Sequence, residues 1–191
     1  MSTLTATETL TGHYNLDPAH SRLGFVARHA MVTKVRGSFK EVDGKGYFDA
    51  SDPSQSWLEV TIQAASIDTG NESRDGHLRT NDFFDPENYP EIRFRSTNVE
   101  QLDERSYRVT GDLSIKDTTK PITVDLEVTG PAVDPWGNTR IGLEGSVVVN
   151  RRDWNINWNA ALDAGGVLVS EKVTLEFDVA AVRQAAAAEA A

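Results

Sequence analysis

A chain of 191 residues with 29 acidic and 19 basic side chains carries a net charge of −10, which argues against a protein built to neutralise nucleic-acid phosphates and against docking on anionic lipid headgroups. The length suits one domain with a sizeable core, and the absence of cysteine excludes disulfide staples and thiolate metal sites. No stretch approaches the ~20 apolar residues of a membrane span, and Met1–Gly12 lacks the basic-then-apolar layout of a signal peptide, so a cytoplasmic protein with no stable membrane insertion is expected.

In chain order, residues 1–12 are polar and Thr-rich and are expected to be a flexible terminus, followed by one domain over 13–183. Strands are predicted at Tyr14–Pro18, Ser21–His29, Gly37–Asp49 and Trp57–Ala64, separated by turn formers such as Asp52-Pro53. Ser66–Pro90 then abandons the alternation. It is rich in Asp, Asn and Gly, and Asn71 is placed to cap a short helix over Glu72–Leu78. Phe83 and Phe84 stand in this otherwise polar connection, as a plug for one end of the sheet, as part of a lid, or as both. Strands resume at Glu91–Glu100, Arg105–Lys116, Ile122–Gly130, Arg140–Asn150 and Lys172–Val182, and the Ala-rich residues 184–191 are expected to be disordered.

The alternation is strongest in the second half. Tyr107, Val109, Gly111, Leu113 and Ile115 share one face, with Arg108, Thr110, Asp112 and Ser114 on the other. A period of two with one dry face describes antiparallel sheet. Roughly eight such strands make a sandwich or a closed barrel, and a barrel of that size is either filled by its own side chains or holds one small ligand. Alternation does not separate those two outcomes. Gly111 and Gly145 on otherwise apolar faces hint at room inside, although a bend in a curling strand is the favoured reading.

Particular motifs narrow the choice. They are Tyr14-Asn-Leu-Asp-Pro-Ala-His-Ser21, Phe25-Val-Ala-Arg-His29, Val35-Arg-Gly-Ser-Phe39, Gly76-His-Leu-Arg-Thr-Asn-Asp-Phe-Phe-Asp85, Tyr89-Pro-Glu-Ile-Arg-Phe94, Gly111-Asp-Leu-Ser-Ile115 and Asn150-Arg-Arg-Asp-Trp154. In this order and spacing, from about Tyr14 to Val182, they resemble the YceI-like family of polyisoprenoid-binding proteins. The resemblance implies an all-β, antiparallel, roughly eight-stranded lipocalin-like barrel with a short helix in the 66–90 connection. It further implies a lumen that holds a polyisoprenoid, such as an isoprenoid quinone or another long-chain lipid, and a homodimer. The chain departs from many relatives in lacking a signal peptide. It departs again at Asn155, after Trp154, where relatives often have glycine, so the lumen nearby is expected to differ in shape.

A lipid site needs a dry tunnel with a few polar groups at one mouth. The apolar strand phases supply Phe25, Ile62, Phe94, Leu113, Ile115, Val147, Val149, Leu175 and Phe177 as lumen candidates, joined by Phe83 and Phe84. Trp154, Ile156 and Trp158 alternate with asparagines and read as a strand end of aromatic wall. His29, His77, Arg79 and Arg152 are the polar candidates for the mouth, while Arg151-Arg152-Asp153 as a whole reads as a solvated turn. The histidines also raise a metal site or a His/Asp pair using Asp17 or Asp82. No helix-borne ligand pair, nucleophile elbow, phosphate loop or EF-hand spacing accompanies them. The expectation is therefore a binding protein with no catalytic residues, no metal and no cofactor beyond bound lipid. Two rivals stay open: an enzyme on a small apolar or lipid substrate with His29 or His77 as base, and a stress-related interaction protein with a filled barrel.

Overall fold

The computed structural model describes residues 10–185. The flexible terminus expected over 1–12 and the disordered tail expected over 184–191 lie largely outside that range. The strands are β1 (Gly12–Leu16), β2 (Arg22–His29), β3 (Thr33–Phe39), β4 (Val42–Phe48), β5 (Trp57–Gln63), β6 (Ile67–Asp68), β7 (Glu91–Gln101), β8 (Ser106–Ile115), β9 (Thr118–Val133), β10 (Thr139–Asn150) and β11 (Lys172–Arg183). The helix α1 covers Glu72–Leu78, with the Asn71 side chain accepting the Arg74 amide at 2.9 Å, as its cap chemistry predicts.

The order β1-β4-β5-β7-β8-β9-β10-β11 closes on itself, because the end of β11 returns to β1 with Tyr14 opposite Arg183 and Leu16 opposite Ala181. The result is the expected eight-stranded antiparallel barrel, which leaves no free edge around its girth. β11 is long enough for a further partner. Its Thr174–Asp178 stretch pairs with β2, which carries β3 and the two-residue β6, so a second limb of sheet forks from the barrel at one end.

Two strands depart from the sequence reading. Gly37–Asp49 is not one strand; it breaks at Lys40-Glu41, where neither glycine nor proline marks a turn. The turn is held from afar instead: the Lys40 amide donates to the Ser66 carbonyl at 3.1 Å and the Glu41 amide to Ser66 Oγ at 3.0 Å. β9 runs well past both expected ends, through Pro121 and Pro131. Pro121 lies where β9 has no β10 partner, since their pairing begins at Leu126 and Gly145, and the Gly130-Pro131 pair sits in a bulge where the register shifts, so neither ring costs a ladder bond on that side.

Gly111 faces inward beneath the Phe94 ring, where a Cβ would come within 2.4 Å of that ring and 2.6 Å of the Arg95 carbonyl. A bulge at Ser96–Asn98 lies directly across from it, so the glycine serves both the bend and the packing of Phe94.

One end of the barrel is tied by charge. Arg140 donates from Nη1 to Asp17 at 2.6 Å and from Nε to Asp134 at 2.7 Å, joining β10 to the turn after β1. The Arg140 bond, then that of His20, holds the Asp17 carboxyl below its ordinary range. At Asp134 desolvation opposes ionisation, yet the bonds from Arg140 and Asn138 override it and drive the carboxyl far down. Carboxyls depressed on folding stabilise above the unfolded value, about 3.9 for Asp, and lose that contribution as the pH falls through the folded value. Tm is therefore expected to drop below about pH 4. Arg140→Ala should lower Tm at neutral pH and flatten this acid limb, as a thermal-unfolding series against pH would read out.

Candidate functional site

The inward phases of the strands do not meet in the middle. They surround a cavity of about 320 Å³, far more than the ~10–15 Å³ that one water needs and at the lower end of the range for ligand pockets. β8 and β9 supply Val109, Leu113, Ile115, Ile122 and Val124; β11 supplies Val173, Leu175, Phe177 and Val179; β2 supplies Leu23, Phe25 and Ala27. The barrel is thus hollow, against the filled-barrel rival. The polar side chains on the lining are few. Ser56 lies just before β5 and Arg151 at the opposite, forked end, while Lys45 and Glu59, which border the lining, pair with each other at 3.8 Å and turn their side chains to solvent.

The apolar residues picked out from the sequence line this cavity, with two exceptions. Val147 shares the inward phase of β10 without reaching the lining. Trp158 packs outside it, against the connection. Nor do Trp154–Trp158 form a strand end: Arg151–Trp154 is a single turn of 3-10 helix capped by the Asn150 side chain, which accepts the Arg152 amide at 3.0 Å. Trp154 is 2 % exposed and drives its indole N–H into the Leu113 carbonyl at 2.9 Å, filling the seam where β9 and β10 part. Asn155 adopts left-handed geometry with φ +59°, which asparagine tolerates nearly as glycine does. The residue that departs from the family pattern therefore keeps the turn, and its amide reaches Thr118 Oγ1 at 2.9 Å.

The 66–90 connection closes the forked end. Phe84 meets Phe39 edge-on at 5.7 Å, and Phe39 lies 6.0 Å from Phe25 in the wall. Phe83 lies 5.5 Å from Trp158, and the His77 ring stands edge-on to both, 5.1 and 4.6 Å away. Two irregular segments far apart in sequence thus meet over the cavity through three rings, His77, Phe83 and Trp158. Buried Asp75 accepts the Thr69 amide and hydroxyl at 2.9 and 2.5 Å, fixing α1 against the strand before it.

None of the four polar candidates for the mouth faces the cavity. His29 is exposed at the end of β2, bridging Val169 through its backbone. His77 bonds Asp82 at 2.8 Å within the connection. Arg79 donates to the Ala65 and Ile67 carbonyls, both at 2.8 Å, and so staples the connection to the barrel. Arg152 pairs with Glu171 at 2.8 Å on the surface. The cation buried against the lining is its neighbour Arg151, 7 % exposed, which the sequence reading placed in a solvated turn. It donates to the carbonyls of Ile156, Ser170 and Val169 at 2.7, 2.9 and 3.3 Å. Burial pushes its guanidinium below the usual arginine value, partly offset by Glu171. A 3-10 turn sends adjacent residues to different sides, and the Arg-Arg string gave no sign of which would turn in.

Both His/Asp pairs weighed from sequence form, His20–Asp17 and His77–Asp82, each at 2.8 Å. Neither imidazole has a hydroxyl among its hydrogen-bond partners in the described residues, and no cluster there offers three or more metal-ligating side chains.

Residues 14–181 match the YceI-like domain. A UPF0312 protein of Photorhabdus laumondii is 40% identical over 154 residues, 80% of each chain. Among solved structures, BcnA of Burkholderia cenocepacia superposes with a TM-score of 0.76 at 25% identity, covering 86% of this chain and 98% of its own. A polyisoprenoid-binding domain of Saccharophagus degradans gives a TM-score of 0.67 at 16% identity, covering 90% of this chain and 98% of its own, a likeness of fold.

Proposed function

The chain belongs to the YceI-like family, and we propose that its barrel binds a polyisoprenoid, an isoprenoid quinone or a similar long-chain amphiphile, to carry or sequester it. The observation that carries this reading is the hollow, almost wholly apolar interior beneath a closed aromatic cover. The polyisoprenoid-binding neighbour of the same fold lends it support. Water in such a space has few polar partners, so an apolar chain gains by replacing it. Each buried CH₂ is worth roughly 0.8 kcal/mol, so a five-carbon prenyl unit contributes up to about 4 kcal/mol before ordering costs. Affinity then comes from chain length, and loading requires the Phe83–His77–Trp158 contacts to open. The reading is of binding without turnover, by a homodimer as in the family resemblance.

The test is solvent extraction of protein purified from its native host, with mass spectrometry of the extract. A stoichiometric prenyl lipid is expected, with Ala27→Trp, which adds bulk to the lining, lowering uptake of added isoprenoid quinone in a folded protein. An empty extract together with no uptake of added quinone overturns the proposal.

A further inference from the structure

The net charge of −10 hides a local reversal. Between Asp17 and Glu41 there is no acidic residue, while Arg22, Arg28, Lys34, Arg36 and Lys40 all fall there. This stretch is the β2–β3 hairpin of the forked end. Its inward face lines the cavity with Leu23, Phe25 and Ala27, and its outward face carries the cations. Arg22 and Arg36 share Glu176, and Lys40 reaches Asp68. Arg28 and Lys34 stand directly opposite each other, and neither has a carboxylate within ion-pair distance among the described residues; the Arg28 side chain donates only to the Val32 carbonyl. Like charges opposed across a strand pair cost stability, so the fold has no use for this arrangement.

The tip of the same hairpin is apolar, exposed and strained. Met31 is 60 % and Val32 74 % exposed. Ala30 and Met31 both hold positive φ, +50° and +63°, as the central residues of a turn closed by the Val32 amide on the His29 carbonyl at 3.0 Å. Such turns favour Asn-Gly, and two consecutive left-handed residues with a Cβ are costly. The tip is also anchored to the cavity rim: the Ala30 amide donates to Leu168 at 2.7 Å, and His29 bridges Val169, itself a lining residue. The charged neighbours on the adjoining segments are Lys172, the Arg152–Glu171 pair and Asp163.

We propose that this hairpin tip docks on an anionic phospholipid bilayer, Met31 and Val32 entering the headgroup layer while Arg28 and Lys34 engage lipid phosphates. Two apolar side chains are too small a patch for a stable protein partner, which needs about 800 Å² on each side. They do suit an interface that itself supplies the remaining apolar volume. The acidic remainder of the molecule is repelled by the same membrane, so the barrel is held with its covered end toward the lipid. This goes beyond the lumen reading and does not depend on what fills the lumen.

The experiment is cosedimentation of the full chain with vesicles of phosphatidylcholine alone and of an equimolar phosphatidylcholine–phosphatidylglycerol mixture, at low and high salt. Binding is expected to the mixed vesicles at low salt and to fall at high salt. Arg28→Ala and Lys34→Ala should each weaken it about fivefold. Met31→Gly separates docking from folding, because it relieves the left-handed strain and raises Tm while weakening vesicle binding. No binding to the mixed vesicles, equal binding to phosphatidylcholine alone, or unaltered binding by the three variants overturns the proposal. Quinone uptake, measured in the same preparations without vesicles, reads the lumen separately.

Discussion

Leu113→Asp is expected to lower the unfolding free energy by at least about 4 kcal/mol, enough to leave much of the protein unfolded. Leu113 packs with Ala64, Ile92 and Trp154 in a buried cluster and lines the cavity. Its own carbonyl holds the Trp154 indole, so any backbone adjustment made to expose a carboxylate also loosens the residue that fills the β9–β10 seam. The new carboxyl would find no free cation, because Arg151 is already spent on three carbonyls. It would therefore titrate above the ordinary aspartate value. A group whose pKa rises on folding is least harmful when protonated, so the denaturation midpoint of this variant should recover in part at acid pH, opposite in sign to the Arg140 network. Leu113→Met, with similar volume, should cost less than about 1.5 kcal/mol. A variant Leu113→Asp as stable as the parent at neutral pH would mean that this position faces water.

Arg151→Ala is expected to cost about 3 kcal/mol or more, because the Ile156, Ser170 and Val169 carbonyls together lose their charged donor. The effect should concentrate in Asn155–Glu171, where hydrogen exchange should accelerate well before the barrel strands follow. Trp158 sits in that segment and closes the cavity against His77 and Phe83, so bound lipid should also dissociate faster. Arg151→Lys should rescue little, since one ammonium does not span three carbonyls that a planar guanidinium reaches at once. Unchanged exchange in this segment would remove the clamp from the account of the covered end.

These residues mark where the sequence was legible. Leu113, Leu175 and Phe177 could be assigned an inward face because a strand's alternation is local, set by its own pleat. Asn71 announced α1 through cap chemistry that acts over three residues. Arg151 could not be told from Arg152, since both occupy one turn and only the carbonyls of a segment five to nineteen residues on distinguish them. The break at Lys40-Glu41 was equally silent, being made by Ser66. The basic, apolar-tipped hairpin was written plainly in the chain, but a net charge taken over all residues averaged it away.

The sequence by itself determined an antiparallel all-β chain, its dry and wet faces, the short helix over Glu72–Leu78 and the family whose motifs it carries. Only the tertiary structure decided that the dry faces enclose space, which end is covered, and which arginine lies inside. Faces follow from residues two apart, whereas a cavity depends on how far opposite walls stand from one another. That distance is set by closing β11 onto β1, residues nearly the whole chain apart, and no local pattern encodes it.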